Sequence, residues 1–189
     1  NGYTLTASAP GYTPSVSYPF ATSGAGRVTS GTLRAMKAVN ARDRWAVGVS
    51  GIIISTSDGG RSWRNQTSGT AVDLLSVDFI DRQRGWVVGL NGTILFTTDG
   101  GYTWNEKYTG VSSALHHVRF YNQSKGIIVG ASGVILYTTN GGATWGTGSS
   151  GTVRELHSVS FATVDNAIAV GSEGEIITTT DGGATWSAQ

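Results

Sequence analysis

Histidine is the first residue type in this chain whose spacing could support chemistry. His116 and His157 lie 41 residues apart, and each follows a leucine at the start of an apolar, strand-like segment. Two imidazoles that project into one channel could bind a metal ion or an anion. A third ligand would have to be Glu155, His117 or a group outside the sequence. Packing of the histidines within strands is the competing interpretation, and we expect no bound cofactor.

Carboxylates are the second chemical possibility, because glycoside hydrolysis requires a pair of them. The glutamates are Glu106, Glu155, Glu173 and Glu175. Glu173 falls in a two-residue turn between predicted strands, and turns this short cannot build a deep cleft. We therefore expect no catalytic residues, and a glycan-active enzyme stays an alternative.

The third possibility is a binding surface made of basic side chains. These side chains fall in predicted turns that emerge at one end of the sheets: Arg42, Arg44, Arg61, Arg82, Arg84 and Lys125. A positive surface of this kind favours docking of an acidic partner. Nearby aspartates neutralise part of the charge, so an ordinary solvated surface with weak ion pairs is the alternative.

An eight-residue segment that recurs four times defines the elements that must position these groups. Residues 56–63 return at 97–104, 138–145 and 179–186, which gives a period of 41 residues without insertion or deletion. A fixed period of about 20–50 residues is typical of repeat proteins. Each aspartate stands alone in its segment, without the further oxygen ligands that calcium needs. We therefore predict structural turns at Asp58, Trp63, Asp99, Trp104, Asn140, Trp145, Asp181 and Trp186.

Each repeat contains four short apolar segments divided by turn residues. In the second repeat they are 74–80, 85–89, 93–98 and 103–108. Such segments, rich in β-branched and aromatic residues, are typical of strands, and the third is apolar on both faces, as in a strand buried between sheets. We predict an all-β fold with almost no helix. It is a β-propeller of four-stranded antiparallel blades at 33–73, 74–114, 115–155 and 156–189.

The recurring segment resembles the Asp-box of bacterial-neuraminidase-type repeats. Around it, 85–89 (GWVVG) and 92–95 (GTIL) are similar to the propeller of photosystem II stability and assembly factors. The resemblance covers 33–189 and implies a box that is a structural turn at the blade periphery, together with an arginine-rich binding patch. The same boxes occur in sialidases, xyloglucanases and sortilin-like receptors. A glycan-binding or glycan-cleaving propeller and a photosystem II assembly factor are therefore both alternative functions.

The first residues form a degenerate copy of the same unit. Residues 1–14 align with 91–104, but Ala9, Pro10 and Pro14 replace the Asp, Gly and Trp of the box. We expect 1–32 to be a half-blade and its connector within a single domain of 1–189. A propeller that lacks strands exposes sheet edges, so we expect a longer chain or another subunit to complete the ring.

Composition limits the setting and the partners. Charged residues make up 13% of the chain and the net charge is +1, so the overall charge does not favour binding to nucleic acid. The absence of cysteine excludes disulfides and cysteine-bound zinc. We expect no direct membrane insertion. Low charge with many Ser, Thr and Gly favours an extracytoplasmic location: secreted, periplasmic or at the cell surface.

These observations lead to one hypothesis about function. We expect a non-catalytic interaction or scaffold module of an extracytoplasmic protein, whose partners are proteins or other subunits. Glycans are an alternative ligand.

Overall fold

The computed structural model describes residues 29–189, which form four sheets of four strands each. In every sheet the strands are antiparallel and lie side by side in chain order. We number the sheets blades 1 to 4 along the chain. Their strands are β1 (Leu33–Ala38), β2 (Arg44–Gly48), β3 (Ile53–Thr56) and β4 (Arg64–Gln66) in blade 1; β5 (Leu74–Phe79), β6 (Gly85–Gly89), β7 (Ile94–Thr97) and β8 (Asn105–Glu106) in blade 2; β9 (Leu115–Phe120), β10 (Gly126–Gly130), β11 (Ile135–Thr138) and β12 (Gly146–Thr147) in blade 3; β13 (Leu156–Phe161), β14 (Ala167–Gly171), β15 (Ile176–Thr179) and β16 (Ser187–Ala188) in blade 4.

The predicted all-β fold with antiparallel four-stranded blades is confirmed. Within 29–189, the helical segments are four single 3₁₀ turns that join the second and third strands of each blade: Val49–Gly51, Leu90–Gly92, Ala131–Gly133 and Ser172–Gly174. The half-blade expected at 1–14 and most of its connector lie outside the described residues.

The first strand of each blade lies on the inner side of the arrangement. β5 contacts both β1 and β9, and β9 in turn contacts β13. The remaining strands of each blade follow outward in sequence. This order is that of a propeller, in which the blades stand around a central axis.

The hydrophobic core lies between the blades, in interfaces that we call seams. In seam 1–2 the Trp45 ring stacks on Phe79, with 3.8 Å between ring centroids and 14° between ring planes. Trp104, from the box of blade 2, meets the same Phe79 edge-on at 5.9 Å. Seam 2–3 repeats this arrangement with Trp86, Phe120 and Trp145. These tryptophan and phenylalanine rings therefore join neighbouring blades.

The fourth strands are shorter than predicted. β8 comprises only Asn105–Glu106, whereas the sequence predicted a strand over 103–108. The box turn extends further than expected, because the Asp99 carboxylate accepts a hydrogen bond from the backbone N–H of Thr103. Trp104 then packs across the seam, so pairing with β7 begins only at Asn105.

Candidate functional site

The boxes form tight turns in which the acidic side chain is fully engaged. Asp58 accepts hydrogen bonds from the Ser62 hydroxyl at 2.6 Å, the Ser62 N–H at 3.0 Å and the Thr56 hydroxyl at 2.7 Å. These bonds hold the pKa of Asp58 well below its usual range. Gly59 and Gly60 follow with φ of 81° and 96°, a region that favours glycine.

The other boxes repeat this turn with small variations. In blade 2, burial would raise the pKa of Asp99, but hydrogen bonds from the Thr103 side chain and backbone outweigh it and lower that pKa to about 2. In blade 3, the amide of Asn140 makes the corresponding contacts with Thr144. No group of three or more His, Cys, Asp or Glu side chains in the described part of the chain could hold a metal ion.

Each box turn is hydrogen-bonded to the turn between the first two strands of its own blade. Gly59 N–H donates to the Arg42 carbonyl at 3.0 Å, and Gly100 N–H donates to the Gln83 carbonyl at 2.8 Å. The same bond recurs from Gly182 to Asp165 in blade 4. Both kinds of turn therefore lie at one end of the blades, which we call the rim.

The six basic residues predicted as a docking patch differ in their ion pairing on this rim. Arg82 pairs with Asp43 across seam 1–2 at 3.0 Å, and Arg84 pairs with Asp81 in its own turn at 2.9 Å. Lys125 pairs with Asp165 of the next blade. Within residues 29–189, Arg42, Arg44 and Arg61 have no carboxylate partner. Arg44 instead donates from Nη2 to the Ala41 carbonyl at 3.1 Å.

A cleft of about 780 Å³ opens on the rim between blades 1 and 2. Arg64 and Tyr102 stand on its walls, and the Arg64 guanidinium lies 4.2 Å from the centre of the Tyr102 ring. Arg64 Nε also donates to the Ser55 hydroxyl at 3.0 Å. Tyr102 is 74% exposed. The complete lining is Asp43, Trp45, Ser55, Thr56, Ser57, Ser62, Trp63, Arg64, Asp81, Arg82, Gln83, Asp99, Gly100 and Tyr102.

Sequence reasoning missed Arg64 and Tyr102, although the repeat contains a signal for them. Both occupy exposed positions at which the four copies differ. The positions equivalent to Tyr102 hold arginine in blade 1 and alanine in blades 3 and 4, whereas those equivalent to Arg64 hold Asn, Gly and Ser. Large exposed side chains are therefore concentrated on blades 1 and 2.

A side-chain clamp crosses seam 1–2 beside the cleft and shares Trp45 and Gly100 with its lining. Gln66 accepts a hydrogen bond from the Trp104 indole at 3.1 Å and donates to the Gly100 carbonyl at 2.9 Å. The Trp45 indole donates to the same carbonyl at 3.1 Å. In seam 2–3, Lys107 replaces the glutamine, and the corresponding indole N–H groups are buried without a partner.

The histidines lie far from this rim, near the start of the inner strands. The rings of His116 and His157 stack with 5.5 Å between centroids and 15° between planes. His116 Nδ1 lies 3.2 Å from the Leu156 carbonyl, and His157 Nε2 lies 2.9 Å from the Ser172 hydroxyl. His117 Nδ1 is already occupied by a backbone N–H of blade 4. The two rings are brought together, but the described residues supply no third ligand.

Three of the four glutamates considered for hydrolysis, Glu155, Glu173 and Glu175, lie at the end opposite to the rim. Arg154 contacts both Glu173, at 3.0 Å, and Glu175, at 2.5 Å, so a single guanidinium binds both carboxylates. Glu106 is exposed in the outer strand β8, and Glu155 is exposed before β13. Arg154, Glu173 and Glu175 thus form an ion-pair network.

No helix within 29–189 has the length and apolarity needed to cross a membrane.

Comparison with known proteins connects this architecture to one family. A family model described as "Photosynthesis system II assembly factor YCF48" matches residues 67–189. No curated protein matches the chain.

Several solved structures share the fold. A structure of YCF48 bound to a D1 peptide superposes with a TM-score of 0.69 at 24% identity, over 85% of this chain and 55% of that one. YCF48 from Cyanidioschyzon merolae gives a TM-score of 0.68 at 24% identity, over 85% and 56%. An ancestral GH74 enzyme gives 0.68 at 18% identity, over 82% and 24%. The chain thus spans about half the length of the YCF48 structures that it matches.

Proposed function

The chain belongs to the photosynthesis system II assembly factor YCF48 family, and from this premise we propose that it is a non-catalytic propeller that binds a segment of a partner protein. One member of the fold is known in complex with a D1 peptide. A peptide segment is therefore the class of ligand that we propose for this chain.

The rim of blades 1 and 2 is the surface that best fits such a ligand. Arg42, Arg61 and Arg64 lie on blade 1 of this rim and have no carboxylate partner within 29–189. A guanidinium forms strong, charge-assisted hydrogen bonds when a carboxylate is supplied from outside. This set of arginines without internal counter-charge, beside an open cleft, is the observation that carries the proposal.

The cleft adds an apolar element to this positive surface. Tyr102 exposes most of its ring, and Arg64 lies over one face of that ring. Tyrosine, tryptophan and arginine are enriched among the residues that dominate binding energy at protein interfaces. The proposed partner segment therefore carries acidic side chains together with apolar or aromatic ones.

The engagement of the acidic groups supports binding without catalysis. The box aspartates accept hydrogen bonds within their own turns, and Arg154 holds Glu173 and Glu175. A glycosidase mechanism needs one free carboxyl as a proton donor and a second as a base or nucleophile. The box aspartates and the glutamates bound by Arg154 are therefore not free for these roles.

We extend the proposal to the setting of the protein. Its low charge and lack of cysteine support an extracytoplasmic interaction or scaffold module. We also propose that the ring is completed by a longer chain or by another subunit. The exposed apolar side chains of the blade 4 sheet, Ile168, Val170 and Ile176, support this view.

The test compares two single-charge variants of the full chain. Arg64→Gln removes a positive charge on the rim, whereas Arg34→Gln removes one at the opposite end, where Arg34 pairs with Asp73 at 3.0 Å. The probes are a fluorescein-labelled peptide rich in Glu and Phe, its Glu→Gln counterpart and a xyloglucan oligosaccharide. Binding is followed by fluorescence polarisation for the peptides and by calorimetry for the oligosaccharide.

We expect the acidic peptide to bind the unmodified chain and the Arg34→Gln variant alike. Loss of one charged hydrogen bond costs about 1.5–3 kcal/mol, so Arg64→Gln should weaken binding by about tenfold or more. The proposal fails if both peptides bind equally, or if the two variants behave alike. Binding of the oligosaccharide in place of the peptides would favour the glycan alternative.

A further inference from the structure

All three histidines of the chain lie on a single seam. His116 and His117 are on β9 in blade 3, and His157 is on β13 in blade 4. Blades 1 and 2 carry no histidine within the described residues. A residue type that changes charge near neutral pH is thus confined to one of the three described seams.

His117 makes a hydrogen bond across seam 3–4 that depends on its protonation. Its Nδ1 accepts the backbone N–H of Val159 at 3.1 Å. An imidazole nitrogen can accept this bond only while it carries no proton. Protonation at Nδ1 would place two N–H groups against each other and leave the Val159 N–H without its acceptor.

The equivalent bond in seam 2–3 does not have this dependence. There the Ser76 hydroxyl accepts the Val118 N–H at 3.3 Å, and a hydroxyl accepts at any pH. In the same seam the Asp78 carboxylate accepts the Phe120 N–H at 2.7 Å and pairs with Lys37 at 2.6 Å.

The surroundings of His117 favour the neutral ring. Burial is the largest influence and lowers its pKa below the ordinary value of 6.5. Asp78 acts in the opposite direction, whereas Arg119 and Lys37 add to the lowering. In blade 4, the titratable residues nearest in sequence to Val159 on its N-terminal side are His157, on β13, and Glu155, just before that strand. β10 and β14 carry no titratable side chain.

His116 and His157 place two more imidazoles on the same seam. Their rings stack at 5.5 Å, and His116 Nδ1 contacts the Leu156 carbonyl of blade 4 at 3.2 Å. His116 therefore offers a control position, at which a histidine of this seam can be replaced while His117 stays in place.

We propose that seam 3–4 is a pH-sensitive joint, which holds blades 3 and 4 together at neutral pH and loosens when His117 takes up a proton. Because the folded pKa lies below the unfolded one, the unfolded chain binds the proton first. The stabilisation is therefore complete above about pH 6.5 and is lost as the pH falls from there. The equivalent bond of Ser76 in seam 2–3 stays in place over the same range.

The test is amide hydrogen exchange on the full chain at about pH 7.5 and about pH 5, corrected for intrinsic exchange chemistry. We expect protection of β13 and β14 to fall at the lower pH, because the Val159 N–H loses its acceptor on His117. Protection of β5 and β6 should change much less. An equal loss of protection in β5 and β6 and in β13 and β14 would overturn the proposal, and this comparison needs no variant.

Two variants, each of which introduces the residue found at the equivalent position of blade 2, show which histidine causes the pH dependence. His117→Ser introduces the residue found at the equivalent Ser76, and it should abolish the extra loss in β13 and β14. His116→Leu copies Leu75 and should retain most of it. The proposal is wrong if His117→Ser keeps the full pH dependence, or if His116→Leu alone removes it.

Discussion

Replacement of Phe79 by alanine would test whether the aromatic side chains join the blades. Phe79 is 2% exposed and contacts two tryptophans, Trp45 by stacking at 3.8 Å and Trp104 edge-on at 5.9 Å. A buried Phe→Ala change costs about 3–5 kcal/mol, and each aromatic pair adds about 0.5–1.5 kcal/mol beyond the buried area. The two aromatic pairs place the expected cost in the upper part of the Phe→Ala range, so Phe79→Ala should lower the free energy of unfolding by about 4–5 kcal/mol.

Phe161 provides a matched control at the equivalent position of blade 4. It is only half-buried, and in seam 3–4 the tryptophan partner is replaced by Ile127. Phe161→Ala should therefore cost about 2 kcal/mol, below the range for fully buried rings. Urea unfolding followed by tryptophan fluorescence gives both values, and a common slope would show that the same surface unfolds. Equal costs for the two variants would refute the role of the stacked pairs.

A milder substitution at the same position keeps the effect measurable if Phe79→Ala unfolds the protein. Domains are stable by only about 5–15 kcal/mol, so Phe79→Ala could leave too little folded protein to measure. Phe79→Leu keeps most of the volume and loses the ring contacts, for an expected cost of about 1–2 kcal/mol.

Three further changes test local features of the blades. Lys107→Gln should supply the missing acceptor for the indole of Trp145 and stabilise the chain by about 1 kcal/mol in urea unfolding; no gain would contradict the clamp. Gly92 and Gly110 both have positive φ, 69° and 79°, but only a Cβ at position 92 would lie 1.8 Å from a backbone carbonyl, so Gly92→Ala should lower Tm far more than Gly110→Ala. Asp99, with its pKa lowered to about 2, should contribute stability that is complete above about pH 4 and lost as the pH falls towards 2. Asp99→Asn should flatten that part of the pH–stability curve, and an unchanged curve would show that the carboxylate is not responsible.

Much of the fold could be predicted because the same turn and strand signals recur in all four repeats. Four copies of the box with an unchanged period fix the turn between the third and fourth strands in every blade. The ends of the strands were less predictable, as the short β8 shows. The side chain of Asp99 prolongs the turn and Trp104 points across a seam, and neither effect can be read from propensity alone.

The candidate site was predictable only in part. The basic residues could be assigned to turns at one end, but their neutralisation depends on contacts between blades. Arg82 finds its carboxylate on the neighbouring blade, at Asp43, 39 positions earlier in the chain. The stacking of Arg64 on Tyr102 also crosses a seam. Pairings of this kind follow from blade geometry, which a single sequence does not specify.

The role of His117 shows the same limit more sharply. The sequence offered it as one of several possible third ligands of a metal ion, whereas in the structure its Nδ1 accepts the Val159 N–H. Ser76, at the equivalent position one blade earlier, accepts a backbone N–H in the same way. A shared acceptor role of serine and histidine cannot be read from the sequence.

The binding site on the rim is the central claim, and a footprint of the acidic peptide tests it most directly. Amide hydrogen exchange of the full chain would be measured with and without the peptide rich in Glu and Phe. We predict added protection in the box turns of blades 1 and 2, at 56–64 and 97–104, and in the turn at 80–84. Protection confined to the opposite end of the blades, around Arg34 and Arg154, would contradict the account, as would binding with no protection on the rim.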